Sequence, residues 1–269
     1  MKIVLPVVML LIKLVRPFVI GLVALMLLSA ACSSKAPTLR LGGSCSRLEL
    51  PRDKCEQWLD RPPSSTGALA RPVLIFPGWL DYPERYEDGP VVKCLQKRHP
   101  GVQIMVLDYN SRASVQRSAQ NAIKQVPSEW LGGQVDVYAH SLGGVIALEA
   151  YRQGLPIRKL ITTESPLRGT GMARLAGLVG LGSPATRDMC PYSQAIKTLQ
   201  SLESYPEIVT IGKGFCLLMP RSSYESLGCR HYHFSASPLT FHSNHNMLGW
   251  DPRAARIIVE ELESGPDER

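Results

Sequence analysis

"VDVYAHSLGGVIALEAYRQG", residues 135 to 154, changes period in the middle. Its first half alternates apolar and polar residues as a half-buried strand does, and its second half sets Leu142, Val145, Ile146 and Ala150 at helical spacing. The switch falls on Ser141, with His140 before it and small residues, Ala139 and Gly143, two places to either side. A strand that reverses sharply into a helix needs small residues there to avoid collision, and it presents the central side chain in the open.

The same alternation runs outward in both directions. "RPVLIFPGWLDY" (71–82) holds a short apolar run cut by Pro77 and Gly78, the pattern of a buried strand ending in a loop. A helix is expected over 83–97, a strand over 102–109, a helix near 113–130, strands over 158–165 and 207–214, and a final helix over 251–262. Asp251 and Pro252 suit the cap and first turn of that last helix. Strands alternating with helices predict an α/β fold, a mostly parallel sheet flanked by helices. Functional groups of such a sheet collect at the carboxyl ends of its strands, where Ser141 stands.

The N-terminus reads as an export signal. Residues 1–31 carry Lys2, Lys13 and Arg16, no acid, and an apolar run from Pro17 to Ala31. "LLSAAC" (27–32) resembles the bacterial lipoprotein lipobox, although Ser29 stands where leucine is usual; the resemblance implies lipidation of Cys32. An uncleaved membrane anchor is the alternative. Either places the rest in a bacterial cell envelope, facing the periplasm or exterior, with the membrane as a partner through Cys32. Residues 32–71, polar and rich in Gly, Ser and Pro, suit a tether and loose lead-in, leaving 72–269 as one domain.

Removing the three signal cations from 30 basic residues leaves 27 against 23 acidic, a net charge of +4. Without an arginine-rich arm or zinc-finger spacing, that excess gives no reason to expect a nucleic-acid partner. Beyond Cys32 six cysteines remain, at 45, 55, 94, 190, 216 and 229. An even number in an oxidising compartment favours disulfides, with about fifteen pairings open; the local pairs Cys45–Cys55 and Cys216–Cys229 are the expectation.

The turn at Ser141 resembles the nucleophile elbow of α/β-hydrolases, and "HSLGG" is similar to the "HSxGG" of bacterial lipases and esterases. The resemblance spans about residues 72–262. It implies the α/β-hydrolase fold, a serine nucleophile at Ser141 and hydrolysis of carboxylic esters, lipid-like or small, with no cofactor and no metal. "VLIFPGWLD" resembles the family's strand and "HG" loop, which implies the backbone N–H groups of Trp79 and Leu142 as the oxyanion hole. The Trp79 indole would line an acyl pocket or pack in the core. The plainer alternative for Ser141 is a helix cap.

"TTESPLRGTG" (162–171) resembles the family's "TPHRGT", and "HSNHNMLGWDP" (242–252) its "HxxLL" stretch, implying His245 as the base, with His242 its rival. The family's usual aspartate has no counterpart: alignment on Pro220 and Ser223 puts Cys216 in its place. Some members supply the acid one strand earlier, where Glu164 stands; Asp81, Glu225 and Asp251 are the alternatives to it, and a surface pair with Arg168 is its structural alternative.

Between Pro166 and Pro206 an insertion holds "GMARLAGLVGLGSP" (171–184), either a movable lid or a buried helix with a glycine-rich exit. His231, His233, His242 and His245 fall within fifteen residues, but no HExxH helix or acidic cluster accompanies them, so metal is not expected. Acyl transfer with the same residues, or a non-catalytic envelope protein that binds lipid on a decayed hydrolase fold, are the competing functions. Chain composition says nothing of oligomeric state.

Overall fold

The computed structural model of the protein describes residues 45–47, 52–60, 69, 71–178, 182–213, 223, 230–234 and 250–264. The signal segment, Cys32, Cys216, Cys229, Glu225, His242 and His245 lie outside them.

Among the described residues seven strands form one sheet: β1 (Cys45–Arg47), β2 (Val73–Phe76), β3 (Ile104–Val106), β4 (Val135–His140), β5 (Ile157–Thr163), β6 (Glu207–Lys213) and β7 (Arg230–Phe234). Their order is β1-β7-β6-β5-β4-β2-β3, with every neighbouring pair parallel. The expected α/β class is therefore found. The sheet is two strands wider than the five that periodicity proposed on its far side, because β7 and β1 extend it beyond β6.

The helices among the described residues are α1 (Arg52–Leu59), α2 (Pro83–Glu87), α3 (Pro90–Arg98), α4 (Val115–Ile123), α5 (Ser128–Leu131), α6 (Leu142–Arg152), α7 (Gly171–Leu178), α8 (Pro184–Asp188), α9 (Gln194–Gln200) and α10 (Pro252–Glu263). The single helix expected over 83–97 is two, since Gly89 is extended and Pro90 starts a new helix. Pro127 likewise separates α4 from α5. The strand expected over 102–109 is shortened to three residues, Ile104–Val106.

Alternation along the strands gives the sheet two apolar faces. Leu74, Phe76, Val135, Val137 and Ala139 face one core with α4 and α6, while Val73, Ile75, Tyr138, Ile161, Val209 and Ile211 face another with α3 and α10. The amphipathic α10 opens as its sequence suggests, with Asp251 accepting from the Arg253 N–H and Pro252 at its first position. The lead-in is not all loose: α1 packs on α10, and the Arg98 and Arg256 guanidinium groups lie over the Trp58 ring at 4.3 and 5.2 Å.

Cys55 and Cys94 are buried free thiols and Cys190 is a half-buried one. The expected Cys45–Cys55 bridge is therefore not formed, and burial pushes the Cys94 thiol up to about 11.

Candidate active site

At the carboxyl end of β4 the backbone of Ser141 takes φ 52° and ψ −124°, a region that side chains rarely occupy. Helix α6 starts at the next residue. The Ser141 side chain makes no capping bond to α6, which removes the plain helix-cap reading. What holds the turn is main chain: the Ser141 N–H donates to the Thr163 carbonyl at 2.9 Å, and the Gly144 N–H to that of Ser141 at 3.2 Å.

The small residues around the serine are demanded by what lies against them. A Cβ on Gly143 would stand 2.1 Å from the Phe76 oxygen, and one on Gly144 would stand 2.3 Å from Ser165 Oγ. Gly78 sits flush on the other side, where a Cβ would meet the His140 ring at 2.9 Å and Ser141 Cβ at 3.4 Å. Ser141 is accordingly only 6 % exposed, so the hydroxyl is not in the open as the elbow pattern suggests; the loop after β2 crowds it.

That loop, residues 77–81, is fixed at three points. Tyr109 OH donates to the Pro77 carbonyl at 2.5 Å, the Gly78 N–H donates to Tyr86 OH at 3.3 Å, and the Leu80 N–H donates to Ser111 Oγ at 2.9 Å. Between these anchors the Trp79 N–H donates to no group among the described residues, and neither does the Leu142 N–H at the start of α6. Neither amide proposed for the oxyanion hole is thus committed to an acceptor among the described residues. The Trp79 indole packs against the α4–α6 core.

Glu164 is the residue after the Ser141 partner Thr163 and occupies the adjacent strand tip, its own N–H donating to the Ile211 carbonyl at 2.9 Å. It is 0 % exposed and has φ 47°, which rules out a solvated surface carboxylate. The alternatives among the described residues are engaged elsewhere. Asp81 accepts from Tyr86 OH at 2.7 Å and Arg85 Nη1 at 3.0 Å, and Asp251 caps α10 and pairs with Arg253.

Leu80, Ser141 and Glu164 are the three non-glycine residues with positive φ among the described ones, and all three stand just beyond the carboxyl ends of strands β2, β4 and β5. Sequence reasoning missed the group beside them: Tyr86 OH also lies 3.1 Å from His140 Nδ1, within a cluster that includes Asp81. A nearby cavity, lined by Ile75, Arg85, Tyr86, Tyr138, His140 and Trp250 among others, has room for about one water.

Comparison with solved structures follows this geometry. The chain resembles a metagenomic carboxyl esterase with 14 % identity and a TM-score of 0.53, over 76 % of this chain and 78 % of that one. It resembles the mature Bacillus licheniformis lipase BlEst2 with 11 % identity and a TM-score of 0.56, over 76 % and 94 %. The protein has the α/β-hydrolase fold. Aspergillus fumigatus lipase B shares the fold at 15 % identity and a TM-score of 0.55, over 86 % of this chain and 62 % of that one. No family model and no curated protein matches the chain. The sharp turn at Ser141, the loop after β2 and the Glu164 strand tip follow the carboxyl ends of three neighbouring strands, β2, β4 and β5.

Of the insertion between 166 and 206, the structure describes three short helices, α7, α8 and α9. Its residues Leu167, Ala173, Ala185, Met189, Ile196 and Leu199 are buried in the α4–α6 core, which favours the packed-helix alternative over a free cover for those parts. Among the described residues no group of three or more His, Cys, Asp or Glu side chains is placed to hold a metal.

Proposed function

We propose that the protein is a serine hydrolase that cleaves carboxylic esters, with lipid-like esters as the favoured class. One observation carries the reading: a serine in strained backbone geometry at the β4–α6 turn, with Gly78 of the loop after β2 packed against it and with the amides of Trp79 and Leu142 donating to no acceptor among the described residues. Strain of this kind persists where the surroundings enforce it, and it gathers at sites of chemistry.

Ser141 Oγ attacks the ester carbonyl as its proton passes to the imidazole of His245. The carbonyl oxygen becomes negative between the two amides, whose geometry is set before substrate arrives, so no reorganisation is spent at that moment. Collapse returns the proton to the departing alcohol and leaves an acyl group on Ser141; water, activated by the same imidazole, then releases the acid. Glu164 orients the imidazole and stabilises its charged form. The esterases and lipases among the neighbours in fold support this class of substrate. The apolar residues 17–31 followed by Cys32 support a lipid-anchored place in the bacterial envelope, with residues 72–269 as the working domain.

A fluorophosphonate probe tests the reading. Wild-type protein is expected to take one label, on Ser141, and to hydrolyse short and long acyl esters; Ser141→Ala loses both. An unlabelled wild-type protein overturns the proposal in favour of a binding role for the fold.

A further inference from the structure

We infer that Tyr86, on α2, is a positioning residue that sets the oxyanion loop against Ser141, by joining the Gly78 amide, the His140 ring and the Asp81 carboxylate through one hydroxyl. This rests on the proposed role of Ser141.

A phenol carries one donor and two acceptor sites. The donor is committed to Asp81 Oδ2, the shortest contact at 2.7 Å and the one to a carboxylate. The two acceptor sites then remain for the Gly78 N–H at 3.3 Å and for His140 Nδ1 at 3.1 Å. That assignment puts the His140 proton on Nδ1. Asp81 Oδ2 is 3.8 Å from Nδ1, too far for a direct bond, so the phenol is the link between them. Arg85 Nη1, 3.0 Å from Asp81 Oδ1, fixes the far side of the carboxylate.

The phenol and the imidazole at the centre of the cluster are buried. Tyr86 is 8 % exposed and His140 4 %. Burial, then Tyr138 and Asp81, push the Tyr86 phenol far above its ordinary range, so the hydroxyl keeps its proton at any working pH.

Its place in the chain gives the cluster its effect. Gly78 precedes Trp79, whose amide is the proposed oxyanion donor, and His140 precedes Ser141. One hydroxyl therefore ties the residue before the donor to the residue before the nucleophile, across 54 positions of sequence between Tyr86 and His140. A close fit backs the tie, because Gly78 leaves no room for a Cβ against the His140 ring. Removing the hydroxyl leaves the Pro77–Gly78 peptide held at its carbonyl alone, by Tyr109 OH, so its amide side tilts and the Trp79 N–H drifts from the developing charge while the substrate pocket stays as it was.

The test is Tyr86→Phe, with Tyr86→Phe/Asp81→Asn beside it so that no bare carboxylate is left buried. Ester hydrolysis, thermal unfolding and the rate of fluorophosphonate labelling are measured on each. The expected result is a kcat lower by roughly 10- to 100-fold with KM within twofold, a labelling rate that falls in parallel, and an intact unfolding transition. A folded variant with kcat within threefold of wild type overturns the inference, as does a rise in KM at constant kcat or the failure of both variants to fold. Wild-type protein that takes no label overturns instead the role of Ser141, and the two failures are told apart by that control.

Discussion

Gly143 lies directly against the end of β2: a Cβ on it would stand 2.1 Å from the Phe76 carbonyl oxygen and 2.6 Å from that of Pro77. Both obstacles are main chain, which has no rotamer to yield with. Gly143→Ala must therefore push α6 away from β2, and overpacking of this kind costs about 1–3 kcal/mol or more. The variant is expected to unfold at a lower temperature and to lose ester hydrolysis, because Ser141 moves with the start of α6. Gly144→Ala meets the Ser165 side chain and Thr162 Cγ2 rather than backbone, and is expected to cost less. A Gly143→Ala protein with wild-type Tm and turnover would show that the turn is looser than these contacts require.

Asp136 sits at the opposite pole, near the amino end of β4, 1 % exposed and held by Arg158 Nε at 2.7 Å, Arg158 Nη2 at 2.8 Å and Arg71 Nε at 3.0 Å. Deleting the anion leaves the nearly buried Arg158 guanidinium without its counter-charge beside the part-exposed Arg71, and breaking a buried pair costs about 3–5 kcal/mol. Asp136→Ala is expected to lower stability by that order in urea unfolding. At a temperature where it is still folded, its kcat and KM should match wild type. A loss of kcat without loss of stability would mean that this pole communicates with the site.

Alkaline pH should unfold the protein steeply. Burial raises Tyr86 and Tyr109 well above the ordinary phenol range and Tyr138 to about 12. A folded-state pKa above the unfolded value means that the stabilisation is complete below pH about 10 and is lost as pH climbs from there through the folded values. Lys159 acts in the other direction: burial, outweighing Glu261 and Glu207, lowers it, so its contribution to stability grows as pH rises towards about 10.5. Three phenols, joined from pH about 9 by the Cys94 thiol at about 11, outweigh one amine and decide the sign, giving a decline of about 4 kcal/mol per pH unit or more above pH 10. Tyr138→Phe removes one of the three and should flatten the decline; unfolding free energies measured from pH 9 to 11.5 that fall equally fast in both proteins would refute the assignment.

The parts of this fold that were legible in the sequence are those whose signal is local. The period change at Ser141 gave the turn, and Asp251 with Pro252 gave the start of α10. β7 escaped because "RHYHF" alternates among polar and aromatic side chains: Tyr232 reaches the core and Glu261, while its neighbours carry no apolar period. α1 escaped because its fold is set by partners far along the chain, α10 and the guanidinium groups over Trp58. The Tyr86–His140 link is of the same kind, since nothing near either residue marks the other. Glu164 lay between: its position after a strand was readable, whereas its complete burial and φ of 47° follow from the packing of neighbouring strand tips.

Those two properties make Glu164 the sharpest test of the site. A carboxylate 0 % exposed at a positive φ is costly twice over, in desolvation and in backbone strain, and a protein selected for stability alone would place a smaller or neutral residue there. The Ser141 N–H and Glu164 N–H bond to the next strand tips in turn, Thr163 and Ile211, so Glu164 is held on the same platform as Ser141. Glu164→Gln keeps volume and hydrogen-bonding capacity while removing the charge that would stabilise an imidazolium. Thermal unfolding is therefore expected to be unchanged or improved, and kcat for ester hydrolysis to fall by about 10²- to 10⁴-fold, the range in which a triad loses its acid. Glu164→Asp should recover part of that loss if charge is the requirement. Turnover near wild type in the Gln variant would remove Glu164 from the triad and return the search for the acid to residues outside this strand tip.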